Sequence, residues 1–353
     1  MRCVKSVILC VILCLSLVLS GCSAGQAAPS ATPSTAAEID PTQAQSTELF
    51  AMDTVMTLTA YGPNADPALQ AAAEEIRRLD KLLSISSEAG EILPLNQSGQ
   101  GELSDETAAL LQRALEVSRE TGGLFDCTIG PVMDAWGFPT QNYQVPEGGL
   151  LQSLLARVDY RQVALSGHTV TLPKGVEIDL GGIAKGYTSD QIMDVFAQSG
   201  ITSGIVSLGG NVQTLGRKPD GSLWRVGLQD PRNPDQTFAV VEVEDQAVIT
   251  SGGYQRYFQE DGVTYHHIID PRTGYPADSG IISATIVSAD GTLADALSTA
   301  LFIMGPEEAE TFWQAHQDRF DAILMTDSGQ ILVTAGLAQR CQITTDDAVR
   351  VIQ

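Results

Sequence analysis

The chain has 353 residues, 43 acidic against 20 basic, for a formal net charge of −23. So acidic a balance excludes a general nucleic-acid binder and a protein lying flat on anionic lipid, and any anionic ligand must be met by a local cation. The length suits one large domain or two of ordinary size.

Arg2 and Lys5 precede an apolar run from Val7 to Leu19, about 13 residues where a membrane-spanning helix needs about 20. This is the pattern of an export signal over residues 1–21. It closes on Leu19-Ser20-Gly21-Cys22, which resembles the lipobox of bacterial lipoproteins. That resemblance implies acylation of Cys22 and lipid anchoring to the cell membrane on its extracytoplasmic face. Residues 22–46 are rich in Ala, Ser, Thr, Gln and Pro without a basic residue or an apolar period, so a disordered tether is expected before a folded domain over 47–353. Cys3, Cys10 and Cys14 fall in the leader, and only Cys127 and Cys341 lie in the folded part. Their spacing leaves pairing open.

From Thr47, the apolar residues Leu49, Met52, Val55, Leu58 and Ala60 suggest one strand ending at Tyr61-Gly62-Pro63. Pro67 to Leu83 reads as a helix and Ser84 to Gly101 as polar, turn-rich chain. Ser104 is placed as the N-cap of a helix carrying Leu110, Leu111, Ala114, Leu115 and Val117, stopped by Gly122-Gly123. Leu124 to Pro131, with Trp136-Gly137-Phe138 beyond, packs glycine, proline and aromatics as a stiff loop would.

Val176-Glu177-Ile178-Asp179-Leu180 alternates as a half-buried strand does, Gly181-Gly182 stops it, and Ile183 starts a helical pattern that Gly200 ends. A strand running through two glycines into a helix is expected to leave free N–H groups at the positive end of the helix dipole, as a phosphate or nucleotide requires. An ordinary tight turn would read alike, but Asp179 before it and Lys185 after it bring charge of both signs to the same place. Ile201–Leu208, Trp224–Leu228, Phe238–Val243 and Val248–Thr250 follow as strands. Without strict β/α alternation, an α+β fold with largely antiparallel strands is expected. A helix over Glu307–Gln317 and a hairpin over Phe320–Met325 and Gln330–Thr334 complete it.

Two further stretches carry chemistry. In Tyr265-His266-His267-Ile268-Ile269-Asp270-Pro271-Arg272-Thr273-Gly274, adjacent histidines point to opposite faces, so one can face a site as a proton acceptor. In the helix Thr292–Met304, Asp295, Thr299 and Phe302 lie opposite Leu297, Ala300, Leu301 and Met304. A carboxylate and a hydroxyl one turn apart are hard oxygen ligands suited to Mg²⁺, although Asp in a first helical turn also serves the dipole. Anion site, lysine, metal pair and histidine together are what phosphoryl transfer from a nucleotide needs. No Walker loop, zinc motif or Gly-x-Ser-x-Gly elbow is present.

Taken with Met52-Asp53-Thr54, Phe125 to Pro131, Asp179 to Gly186, Ser207-Leu208-Gly209-Gly210-Asn211 and His267 to Gly274, the set Asp295 to Thr299 resembles the ApbE family of FAD:protein FMN transferases. The resemblance runs from about residue 47 to the C-terminus. It implies a fold related to the tetrahydrobiopterin-enzyme (T-fold) group and a Mg²⁺-dependent cleavage of FAD. AMP leaves, and FMN is joined through its phosphate to a Thr or Ser hydroxyl of an acceptor protein, such as a membrane redox complex subunit. It further implies metal ligation by Asp295, Thr299 and the Gly182 carbonyl. Met52, Phe125, Asp126, Asp179, Lys185 and Ile269 would contact FAD, and His267, not His266, would be the general base. Ser84-Ile85-Ser86 lacks the aromatic that members often carry in that loop. Two other functions share these residues: a Mg²⁺-dependent FAD pyrophosphatase, and a flavin-binding lipoprotein without catalysis.

Overall fold

The computed structural model describes residues 42–353. The leader, Cys22 and most of the expected tether lie outside the described residues.

The expected single first strand is a hairpin, β1 (Ala44–Ala51) and β2 (Thr54–Tyr61), so the chain is already paired within the stretch read as tether. The turn escaped notice because its two residues, Met52 and Asp53, are not the usual Asn-Gly signal, yet both adopt positive φ, 47° and 59°. Helix α1 (Ala65–Leu83) follows, then α2 (Ile92–Ser98) inside the stretch expected to be all turn, and β3 (Gln100–Glu102). Helix α3 (Asp105–Glu120) is capped as expected, the Ser104 hydroxyl accepting from the Thr107 N–H. Helices α4 (Gly130–Trp136) and α5 (Gly148–Leu155) and the strands β4 (Ala164–Ser166) and β5 (Thr169–Thr171) lead to α6 (Ala184–Gln198).

The second half is strand-rich: β6 (Gly204–Leu208), β7 (Asn211–Leu215), β8 (Trp224–Asp230), β9 (Asn233–Val243), β10 (Ala247–Gly252), and a small hairpin of β11 (Tyr257–Glu260) and β12 (Val263–His266). Then come β13 (Ile281–Ser288), α7 (Gly291–Met304), α8 (Pro306–Gln314), β14 (Asp321–Thr326), β15 (Ile331–Thr334), β16 (Cys341–Ile343) and β17 (Val349–Ile352).

Nine of these strands form one sheet in the order β1-β2-β6-β7-β10-β13-β14-β15-β17. Its pairings are antiparallel apart from β15 with β17, as an α+β fold requires. Period-two alternation explains why both faces are covered. In β10, Ile249 packs with Leu293, Ala296 and Leu297 of α7, whereas its neighbour Val248 packs with Trp224, Val226 and Val241 of the β16-β9-β8 sheet. Helices α1 and α6 cover the same sheet nearer its first edge, with Ile76, Ile192 and Phe196 against Met56, Leu58 and Val206. The sheet thus holds α6 and α7 side by side on one face, with their N-terminal turns in contact, and the candidate site lies there.

Candidate active site

The turn into α6 is where expectation and structure differ most usefully. Val176 to Leu180 keeps its alternating burial but is not a strand. Its main chain is satisfied by a side chain and a loop: Asn96 exchanges two hydrogen bonds with Ile178, at 2.7 and 2.8 Å, and the Asp179 N–H donates to the Cys127 carbonyl. The turn is tight because the Ile183 and Ala184 N–H groups both donate to Leu180 O. Phe125 lies against it so closely that a Cβ on Gly182 would sit 3.0 Å from the ring. Two of the expected ligand-side residues, Phe125 and Gly182, therefore form one wall.

The Gly-Gly turn predicts free N–H groups at the start of α6, but the structure engages them. Gly186 N–H donates to Asp295 Oδ2 at 2.8 Å, and the Lys185 N–H also faces this carboxylate. The approach needs glycine, since a Cβ at Gly186 would fall 2.1 Å from the Gly291 carbonyl. Asn211, at the start of β7, donates to Asp295 Oδ1 at 2.9 Å. One turn on, the Thr299 hydroxyl lies 3.4 Å from that of Ser251, which is 2.8 Å from Ser298 Oγ. Asp295 is 6 % exposed, and burial raises its pKa against the opposing field of Lys185.

These residues fit a hard cation. Asp295 Oδ1 accepts from Asn211 and Oδ2 from Gly186, with the Lys185 N–H beside them, which still leaves lone-pair capacity on the carboxylate; the hydroxyl of Thr299 lies on the next turn, and a buried anion gains from a cation. Among the described residues no group of three His, Cys, Asp or Glu is arranged to bind a metal. A carboxylate and a hydroxyl are hard oxygen donors of the kind Mg²⁺ accepts, since it takes few protein ligands and fills its shell with water and phosphate.

Lys185 sits among the charged groups. Its ammonium has no hydrogen bond or ion pair within the described residues, yet its field acts on Asp179, Asp295 and His267. Asp179 caps the turn, accepting the Gly181 N–H at 2.7 Å, and burial raises its pKa while Gly181, Lys185 and Arg256 pull it down.

His267 follows β12 directly and continues its ladder. Its main-chain N–H and its Nδ1 both lie 3.1 Å from the Arg256 carbonyl. A carbonyl only accepts, so in the neutral ring Nδ1 carries the hydrogen and Nε2 the lone pair. Burial, then the Lys185 cation, lower its pKa to about 3. His266 faces elsewhere, its ring edge-on to Phe302 and its Nε2 on the Ala277 carbonyl.

Other expected residues are placed less directly. Met52 is held in its left-handed turn by Asp80, which accepts its N–H, and its sulfur takes the Thr188 hydroxyl at 3.7 Å, beside α6. Such a conformation costs an L-residue about 1–2 kcal/mol, a strain of the kind found at ligand sites. Asp126 spends its carboxylate inside the loop, Oδ1 on Thr128 and Oδ2 on the Tyr160 N–H. It shapes that loop through these bonds. Ile269 is 4 % exposed in the cluster with Trp136 and Phe138, so only its main chain could meet a ligand.

Arg256 was not singled out from the sequence. Besides orienting His267 it bonds the Phe138 carbonyl and stands 6.0 Å from that ring; a single arginine just before a short hairpin carries no motif that marks it. Cys127 is buried and Cys341 half-buried, and both are free thiols.

Residues 52–324 match the model of the ApbE family. The chain is 34 % identical to an FAD:protein FMN transferase of Treponema pallidum over 314 residues, covering 82 % of this chain and 86 % of that protein. It is 32 % identical to one of Klebsiella pneumoniae, covering 74 % and 82 %. Among solved structures, an ApbE protein of Thermotoga maritima superposes with a TM-score of 0.79 at 32 % identity over 83 % of this chain and 98 % of that one. The apo flavinyl transferase ApbE of Pseudomonas stutzeri gives 0.72 at 26 % identity over 80 % and 91 %.

Proposed function

Since the chain belongs to the ApbE family, we propose that it is an FAD:protein FMN transferase. It would move FMN from FAD to a Thr or Ser hydroxyl of an acceptor protein, through a phosphoester bond, and release AMP. The observation that carries this reading is Lys185: in a chain of net charge −23, an ammonium without an ion pair among the described residues stands beside the buried carboxylate of Asp295, the half-buried one of Asp179 and the neutral imidazole of His267. An anion belongs there.

Asp295, Thr299 and the Gly182 carbonyl would hold Mg²⁺, which when bound would offset phosphate charge at the centre under attack. Lys185 would bind the pyrophosphate as a point charge. Phe125, Met52 and the main chain at Ile269 would line the flavin side, with Asp126 and Asp179 fixing the loops that carry them. His267 Nε2 accepts the proton of the acceptor hydroxyl as its oxygen bonds to the phosphorus of the FMN half; the bond to the bridging oxygen breaks, and that oxygen leaves with AMP. The low pKa of His267 keeps the lone pair available throughout the neutral range. Acylated Cys22 would anchor the enzyme on the extracytoplasmic face of the cell membrane, near a membrane-bound redox acceptor.

The test is full-length protein with FAD, Mg²⁺ and a candidate acceptor, with and without EDTA, following AMP and flavin-modified acceptor by mass spectrometry. AMP with flavin fixed to the acceptor, both lost in EDTA, is expected. AMP with only free FMN would make it a pyrophosphatase, and bound FAD without AMP a binding protein.

A further inference from the structure

Beyond the expected ligands, the structure shows how α6 and α7 are tied. Asp295 of α7 takes an N–H from the first turn of α6. Asp190 of α6 does the converse for α7: Oδ1 accepts the Gly291 N–H at 2.9 Å, and Oδ2 accepts the Thr292 N–H and hydroxyl at 2.8 and 2.6 Å. Each helix therefore supplies an aspartate to the other's positive end. Strand β7 completes both halves from one face, since Asn211 and Gln213 are two residues apart. Asn211 Nδ2 donates to Asp295, and Gln213 Nε2 donates to Asp190 at 2.8 Å. Both amides are 4 % exposed.

The two amides differ in what they touch. Asp190 has its oxygens engaged by four donors and serves the helix junction. Asp295 has one side-chain donor, Asn211 on Oδ1, and the main chain of the first turn of α6 on its other side, Gly186 donating to Oδ2 and the Lys185 N–H facing the same carboxylate. A carboxylate gripped at both oxygens cannot rotate about its Cβ–Cγ bond, so the lone pairs left over keep a fixed direction. Without the Asn211 amide, Oδ1 would be a buried acceptor lacking its donor, and the group would be free to turn.

We propose that Asn211 is the positioning residue that orients the Asp295 carboxylate for its divalent cation, while Gln213 serves the helix junction alone. This rests on the metal role given above to Asp295. Groups that orient a ligand from behind typically contribute about 10–100-fold to metal affinity.

The experiment measures Mn²⁺ and Mg²⁺ affinity of full-length protein in detergent, without FAD, by Mn²⁺ paramagnetic resonance and Mg²⁺ competition, alongside thermal melts. Asn211→Leu, of similar volume but without a donor, and Asn211→Ala, should each weaken cation binding by about 10–100-fold. Gln213→Leu, losing an amide from the same strand face, should lower Tm comparably yet keep wild-type affinity. Two results overturn the proposal: unchanged affinity in whichever Asn211 variant folds, or an equal loss in Gln213→Leu, which would mean that any loosening of α7 suffices. Asp295→Ala is the reference. If it too binds cation as wild type does, the metal assignment itself falls, not merely the role of Asn211.

Discussion

The two sides of the site are held by different physics. On the α6–α7 side, a buried carboxylate, Asp295, and a half-buried one, Asp190, are fixed by directional bonds, Asp295 by Gly186 and Asn211 and Asp190 by four donors. On the His267 side the frame is apolar. Trp136, Phe138, Tyr143, Phe258 and Tyr265 pack ring against ring, and His267 meets the edge of Phe138 at 6.3 Å. Fixed charge needs fixed direction, because a misaligned donor leaves a buried anion unpaired. A proton acceptor needs to stay neutral, and desolvation beside Lys185 and Arg256 accomplishes that.

The largest expected effect breaks the charged side. Asp295→Ala should abolish Mg²⁺ dependence and lower transfer by at least about 10³-fold, the scale of losing several kcal/mol of charge stabilisation; full Mg²⁺-dependent turnover would remove Asp295 from the metal site. Next, His267→Ala should slow transfer by about 10²–10⁴-fold with FAD affinity kept, and an unchanged transfer rate would rule it out as the base. The same variant tests the neutral-imidazole argument through stability. With a folded pKa of about 3 against an ordinary 6.5, only the unfolded chain takes up this proton as pH falls from 6.5 towards 3. His267 therefore costs stability in that window and nothing above it. Denaturant melts at pH 7 and pH 4.5 should show a smaller acid loss in His267→Ala than in wild type, and an equal loss would place the folded pKa near normal.

A third substitution separates geometry from charge. Gly186→Ala puts a methyl group 2.1 Å from Gly291 O and 2.6 Å from Asp295 Cβ, which the helices can relieve only by moving apart. About 3 kcal/mol of stability should be lost, with a parallel fall in cation affinity. A stable variant with normal metal binding would show that the close approach is incidental.

Periodicity made the helix face of Asp295 and Thr299 legible, and the Gly-Gly-Ile-Ala-Lys-Gly turn was found where a helix does begin. What escaped were groups satisfied over long sequence separations. The α6 N–H groups were read as open to a ligand, but Asp295, more than a hundred positions away, takes that of Gly186. Val176–Leu180 has the alternation of a strand without its ladder, because Asn96 supplies the bonds that a neighbouring strand would. The Met52-Asp53 turn was hidden because local propensity argues against it, and Asp80 offsets the strain. Asn211 stood within a recognised motif, yet no spacing rule pairs an amide on one strand with a carboxylate on a later helix.

The smallest effect sharpens the contrast from the aromatic side. Phe258 stacks on Tyr143 at 5.2 Å with ring planes 6° apart, and on Tyr265 at 5.3 Å, and lies within 6.2 Å of Trp136 and 6.0 Å of Phe138. It belongs to the β11–β12 hairpin whose ladder ends on the Arg256–His267 pair. Phe258→Leu keeps an apolar side chain but gives up the ring contacts, a loss of about 1 kcal/mol and a Tm lower by about 2 °C. Because dispersion is spread over several rings and points in no one direction, His267 should shift little and transfer should fall less than about tenfold. Cation affinity, fixed on the other side by directional bonds, should equal that of wild type. A matching drop in cation affinity would show that the aromatic frame also sets the α6–α7 junction, and the division between the two sides would no longer hold.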